Sequence, residues 1–205
     1  VVVLNRFDGS ELRRIGEPGD AEGQFVRPIG IDVDREGNLY VSDAIACRVQ
    51  KFSPEGEFIS GHGEISDLIG SFVRPKHLAV DSEGNYYVVD SAFQNVQIFN
   101  RENQLLTFFG AAGNHPGSMA LPAGIAVYEG DTSQFDPYIH PAFAAERLVL
   151  VSNQFGRNKV AVYAIGQLRE GYTPQDIVQS SVAVEGTTEG GGDQPGQLPE
   201  DTEYD

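Results

Sequence analysis

Two stretches, VRPIGIDVDREGNLYVSD at Val26–Asp43 and VRPKHLAVDSEGNYYVVD at Val73–Asp90, superpose without a gap at an offset of 47 residues. The match continues beyond them. Val49-Gln50 falls on Val96-Gln97 and Phe52 on Phe99. A third copy opens 47 residues further on, where Leu121-Pro122-Ala123-Gly124-Ile125-Ala126-Val127 repeats the type of Arg27–Val33. It is interrupted at Glu129–Glu146 and resumes as LVLVSNQFGRNKVAVYAIG. The opening segment, VVVLNRFDGSELRRIG, reads as the second half of an earlier copy. Self-similarity at a fixed period marks a repeat architecture, in which each unit buries its apolar faces against its neighbours.

Within one copy the residues spell four short strands. Ile29–Asp34 follows a proline, and the turn Arg35-Glu36-Gly37-Asn38 leads into Leu39–Asp43. A short loop leads into Arg48–Phe52, and Ser53-Pro54-Glu55-Gly56 leads into Glu57–Ser60. Turn residues recur every eight to ten positions without helical periodicity, as in antiparallel meanders. A four-stranded sheet of this size is stable only when both faces are covered. The fold expected is therefore all-β, a β-propeller of four-stranded antiparallel blades. The units are a half-blade at residues 1–25, blades at 26–72, 73–120 and 121–170 (the last with an insertion at 129–146), and a tail at 171–205. Three blades and a half make a partial ring, completed by a missing segment or by a partner. Val1-Val2-Val3-Leu4 reads as a strand that pairs with something, and the absence of an initial Met fits a mature or clipped product.

The pattern Pro-x-Gly-Ile-x-Val-Asp-x-x-Gly-Asn-x-Tyr-Val-x-Asp at Pro28–Asp43, followed by Arg-Val-Gln-x-Phe at Arg48–Phe52 and Gly-x-Phe at Gly56–Phe58, resembles the NHL repeat. The resemblance covers residues 1 to about 166 and implies a propeller, usually six-bladed. The peptide-amidating lyase branch of that class carries zinc-binding His shortly before the repeat proline; Gln24, Ser71 and Ser118 stand there. The RNA-binding branch carries a basic face, which this chain lacks.

Charge narrows the partners. The 205 residues hold 30 acidic and 14 basic side chains, a formal net charge of −16. An acidic body repels the nucleic-acid backbone and anionic membranes, so neither is expected as a partner. No apolar run approaches the length of a membrane span. One cysteine, Cys47, excludes an intrachain disulfide framework, and there is no Cys-x-x-Cys-His haem motif. No cofactor is expected.

The candidate residues lie mostly in loops. Arg27 and Arg74 recur one period apart before the repeat proline. Their roles divide between an anion-binding rim and pairing with a neighbouring Asp43 or Asp90. Arg48, Gln154 and Arg157 flank the second loops. His77 replaces the Gly of Gly30 and Gly124 near the start of the innermost strand. The insertion carries Phe135 and Tyr138, aromatic residues suited to contact with a blade or a partner. Asp32, Asp34, Glu36, Gly37, Asn38, Tyr40 and Asp43 mimic a calcium loop, but Asp34-x-x-Gly37-Asn38 fits a hairpin turn better.

The function expected is a non-enzymatic protein-interaction or scaffold module in a secreted, periplasmic or cell-surface assembly of bacterial type. The partner is another protein chain, one that could supply missing blades. The run Val151–Tyr163 resembles the closing repeat of propellers that accompany multihaem cytochromes, which suggests one class of partner. The alternative is a metal-dependent lyase or hydrolase working in the channel, with Asp43, Asp90 and Asn153 at equivalent strand ends.

Overall fold

The computed structural model describes residues 1–113, 115, 117–156 and 158–175. The tail beyond Gln175 and candidate Arg157 lie outside the described residues. The chain is all-β. The strands are β1 (Val2–Leu4), β2 (Glu11–Arg14), β3 (Glu17–Pro18), β4 (Gln24–Phe25), β5 (Pro28–Val33), β6 (Leu39–Asp43), β7 (Arg48–Phe52), β8 (Phe58–His62), β9 (Pro75–Val80), β10 (Tyr86–Asp90), β11 (Asn95–Phe99), β12 (Leu105–Phe109), β13 (Pro122–Tyr128), β14 (Phe143–Asn153) and β15 (Val160–Leu168). They form a two-stranded sheet β1-β2, two four-stranded meanders β5-β6-β7-β8 and β9-β10-β11-β12, and a three-stranded meander β13-β14-β15. A short parallel pair, β3-β4, links the first two sheets.

The sheets stack side by side. Alternation along each strand sends one set of side chains to each neighbour. Ile15, Phe25, Leu39, Val41 and Phe52 fill the space between the two-stranded sheet and the first four-stranded one. Tyr40, Val49, Leu78, Tyr86, Val88 and Phe99 fill the next interface, and Tyr87, Val89, Ile98, Ile125, Val149 and Val151 the one after. The inner strand β9 adjoins β5 and β13. Gly30 makes the closest approach: a Cβ there would lie 2.9 Å from the His77 Cα and 2.6 Å from the Ser42 Oγ. This is propeller stacking in an incomplete ring.

Two expectations need correction. The third sheet has three strands among the described residues, not four. The insertion at 129–146 is also not all loop. Tyr128 still pairs with Leu148, and β14 starts at Phe143, so residues 143–146 are strand rather than loop. The strand pairing of β14 with β15 simply extends past the repeat length, to Phe143 opposite Leu168. What remains of the insertion contains one 3-10 turn, Ser133–Tyr138.

The turns explain the recurring Asp and Asn. Asp34 accepts the backbone N–H groups of Glu36 and Asn38 and the Asn38 side-chain amide, with Gly37 at φ +86°. Asp81 repeats the arrangement with Glu83 and Asn85. This is hairpin chemistry, in which a short carboxylate mimics a turn of backbone.

Candidate binding face

The loops that join one sheet to the next lie at the same end of the molecule as the loops between second and third strands. The Ala44 N–H donates to the Arg27 carbonyl, Ser91 N–H to Arg74 and Gln154 N–H to Leu121, three equivalent bonds. Arg27, Arg74 and Gln154 therefore share one rim. Phe135 and Tyr138 do not. Their insertion joins β13 to β14, the position of the Arg35–Asn38 turn in the first sheet, and so sits at the opposite end. The structure thus splits the candidate set into two regions.

The rim is braced from beneath. Asp43 is fully buried; its two carboxylate oxygens accept the N–H groups of Val26, Arg27, Ile45 and Ala46 at 2.7–3.2 Å. Asp90 does the same for Val73, Arg74, Ala92 and Phe93. Asn153 holds the Ala120 N–H and the Asn158 carbonyl. The anticipated pairing of Arg27 and Arg74 side chains with these aspartates does not occur. Backbone amides saturate the carboxylates, and both arginines are exposed with no ion-pair partner among the described residues. Acids held this way are committed to the fold, and the described residues contain no group of three His, Cys, Asp or Glu placed to hold a metal.

Burial works against the Asp43 carboxylate, but the four N–H donors, led by Ala46, outweigh it and hold its pKa below the ordinary aspartate value. A depressed folded pKa contributes stability that is fully present above the unfolded value, near ~3.9. That contribution is lost as pH falls through the folded value. The urea midpoint is therefore expected to drop between pH 5 and pH 3, and Asp43→Asn should flatten that drop while lowering the midpoint at pH 7. An unchanged pH profile in the variant would contradict this role.

Arg48 leaves the candidate list for a physical reason. Its guanidinium donates to the carbonyls of Asp20, Ala21 and Gln24, locking the loop before the first four-stranded sheet. Beside it, Gln50 grips the same loop through the Gly23 N–H and Gln24 carbonyl, and Gln97 grips the next through Gly70 and Ser71. The sequence showed this recurring glutamine without revealing that it clamps a loop. His77 is half-buried on β9, its Nδ1 3.1 Å from the Leu78 carbonyl oxygen. His62, between two glycines in sequence, ends β8 with its ring 4.7 Å from that of Phe99. Burial lowers its pKa against the opposing bond to the Gly70 carbonyl. Cys47 is buried, its Sγ 3.4 Å from the Val73 carbonyl oxygen, and burial pushes its pKa up, as do Asp90 and Asp43.

What surrounds the free arginines was not foreseen. Val26, Ile45, Val73 and Phe155 are all exposed on the same rim. The available signal was a β-branched residue directly before each repeated Arg. At the opposite end, the insertion folds over the face that the third sheet turns away from the second. Phe135, Tyr138, Ile139 and His140 frame a groove of about 360 Å³ above Leu148, Val162 and Ala164, with Tyr138 the most exposed of them. His140 Nδ1 accepts the Ala142 N–H.

No protein-family profile matches the chain. Among curated proteins it is 42% identical over 50 residues to the E3 ubiquitin-protein ligase TRIM71 of Rattus norvegicus and 46% identical over 43 residues to that of Mus musculus. These stretches are 24% and 21% of this chain, and 6% and 5% of those proteins. Among solved structures, a streptogramin B lyase aligns with TM-score 0.44 and 15% identity, over 78% of this chain and 46% of that one. Kuenenia stuttgartiensis hydrazine synthase aligns with TM-score 0.46 and 17% identity, over 77% and 41%. The calcium-binding protein regucalcin of Agrobacterium tumefaciens aligns with TM-score 0.42 and 11% identity, over 74% and 50%. The chain thus spans half or less of each of these solved structures and a small fraction of the ligases. No helix among the described residues is long and apolar enough to cross a membrane.

Proposed function

We propose that the chain is a non-enzymatic NHL-type propeller module that binds another protein through the rim carrying Arg27 and Arg74, within a larger secreted or cell-surface assembly. One observation carries the reading. Two arginines without ion-pair partners among the described residues share a rim with four exposed apolar side chains, Val26, Ile45, Val73 and Phe155, on loops braced by buried aspartates, a buried asparagine and glutamines. Apolar contact area with interspersed Arg is the composition of interface centres. A preformed backbone lowers the entropy lost on binding. The repeat motif at Pro28–Asp43 supports the NHL assignment.

The test is co-purification from the native source with wild type and with the double variant Arg27→Glu, Arg74→Glu. Both substitutions are at exposed positions, so the melting temperature should be unchanged. The stoichiometric companion chain is expected to weaken by about tenfold or more, as for loss of interfacial Arg anchors. Haem absorbance in that companion would identify it as a multihaem cytochrome. Undiminished binding by the double variant, or a chelator-sensitive activity of the isolated chain, would refute the reading.

A further inference from the structure

The loop between the two four-stranded sheets repeats the loop before the first of them, except for one clamp. The 47-residue offset places Glu64, Asp67, Gly70, Ser71 and Phe72 on Glu17, Asp20, Gly23, Gln24 and Phe25. In the earlier loop the Gln24 N–H donates to the Ala21 carbonyl, and in the later one the Ser71 N–H donates to the Leu68 carbonyl. Gln50 and Gln97 hold the two loops by equivalent pairs of bonds. Arg48 adds a third hold on the earlier loop, donating to the carbonyls of Asp20, Ala21 and Gln24 at 2.7–2.9 Å. Its equivalent is Asn95, too short to do the same for Asp67, Leu68 and Ser71. The residues before them, Cys47 and Gln94, share a positive φ of 52° and 56°, so the backbone launches both side chains alike.

Three carbonyls arranged as for a guanidinium are thus left without one. The Asp67 carbonyl accepts no hydrogen bond among the described residues. Asn95 is 4% exposed, and its Oδ1 is a buried acceptor with no partner. Such an acceptor carries a desolvation cost until a donor reaches it. The side chains around it are not those the repeat demands. Where the earlier loop has Pro18, Ala21 and Glu22, this one has Ile65, Leu68 and Ile69, exposed to 77%, 69% and 42%. Glu64 and Asp67 are exposed in the same loop. The loop lies between two four-stranded sheets, β5-β6-β7-β8 and β9-β10-β11-β12, so neither end of the sequence creates the site.

We infer that this loop is a receptor for an arginine carried on an apolar segment of a partner protein. The guanidinium enters as that of Arg48 does in the preceding loop, donating to the carbonyls of Asp67, Leu68 and Ser71, and Asn95 Oδ1 supplies a further acceptor. The apolar neighbours of the arginine rest on Ile65, Leu68 and Ile69. Charge selects the occupant. Every acceptor is an oxygen, and Glu64 and Asp67 add negative potential, which favours a cation over neutral or acidic segments. A planar fork with five N–H donors matches several carbonyls at once, as an ammonium point charge does not. Residues 176–205 contain no Lys or Arg and cannot supply the group. The receptor lies at the same end of the molecule as Arg27 and Arg74 and rests on the reading of that end as protein-binding. It uses neither arginine, so variants separate the two.

The probe is acetyl-leucyl-arginyl-leucine amide, titrated into the isotopically labelled full chain and followed by NMR, with the lysyl peptide as control. The arginyl peptide is expected to shift the amide signals of residues 67–71 and of the Asn95 side chain, and the lysyl peptide to bind about tenfold more weakly. Asn95→Arg fills the receptor from within. It should abolish the shifts and raise the melting temperature by about 3 °C, as for added charge-assisted bonds. Leu68→Glu, at an exposed position, should weaken binding with the melting temperature unchanged. Equal binding of the two peptides, or shifts that persist in Asn95→Arg, would overturn the inference. In the co-purification assay, Asn95→Arg should weaken the companion chain about tenfold with Arg27 and Arg74 intact. A companion retained by Asn95→Arg but lost from the Arg27→Glu, Arg74→Glu variant would overturn the receptor and leave the rim standing; the opposite pattern would overturn the rim and support the receptor. Self-association of the chain that Asn95→Arg abolishes would assign the arginine to a second copy and overturn the partner.

Discussion

Replacing Phe99 with Ala is expected to lower stability by about 3–5 kcal/mol, as for a fully buried aromatic truncated to a cavity. Phe99 is 0% exposed. Its ring stacks on Tyr86 at 5.1 Å, meets Phe72 at 5.6 Å and packs against His62 at 4.7 Å. It belongs to the second sheet, yet it contacts the loop and last strand of the first, so its loss loosens the joint between sheets as well as one sheet's interior. In a chain of this size the melting temperature should fall by about 10 °C. The equivalent substitution Phe52→Ala should cost less, because the sheet in front of Phe52 has only two strands. Thermal unfolding followed by near-ultraviolet circular dichroism checks both. Equal losses at the two positions would show that the interface in front of Phe52 is as well filled as the next.

The second large effect is electrostatic. Asp81 is buried at the turn of the second sheet and receives the Arg147 guanidinium from the third; Arg147 also reaches the Tyr87 hydroxyl at 3.3 Å and Glu83 at 3.3 Å. Burial alone would lower the Arg147 pKa, but Tyr87, Asp81 and Glu83 hold it above the usual arginine value. Arg147→Ala leaves a buried carboxylate without its cation and is expected to cost about 3 kcal/mol, the low end for a broken buried pair because Asp81 keeps its own turn amides. Urea unfolding gives the value. Adding Asp81→Asn to Arg147→Ala should recover part of the loss, because the stranded charge is then removed. A double variant no better than the single one would mean that the guanidinium acts by packing alone.

The strand pattern of the first two repeats was legible because each turn carries its own chemistry. Asp34-x-x-Gly37-Asn38 and Ser53-Pro54-Glu55-Gly56 leave the chain little choice of where to reverse, and alternation between them assigns the faces. The third repeat was harder to read. Phe143–Glu146 continues the pairing of β14 with β15, and nothing in those residues distinguishes a lengthened strand from the end of a loop. Side-chain roles were less legible still. Arg48 and Arg27 are both near rim loops in sequence, but only the folded geometry turns Arg48 back onto three carbonyls and leaves Arg27 in solvent. The separation of Phe135 and Tyr138 from the arginines was accessible by counting strands, since the insertion occupies a first turn and the rim comprises second loops.

All of this depends on the sheets standing side by side in chain order. The most direct measurement is a set of proton NOE contacts in the full chain. The Tyr40 and Tyr86 rings, 5.5 Å apart, should show cross-peaks between the first and second four-stranded units, and Phe109 and Tyr163, 4.7 Å apart, between the second and third. Both contacts are expected, with none from Tyr40 to Val149 or Val151. Cross-peaks from Tyr40 to the third sheet, or loss of the Tyr40–Tyr86 contact in a folded sample, would contradict the stacking on which the rim rests.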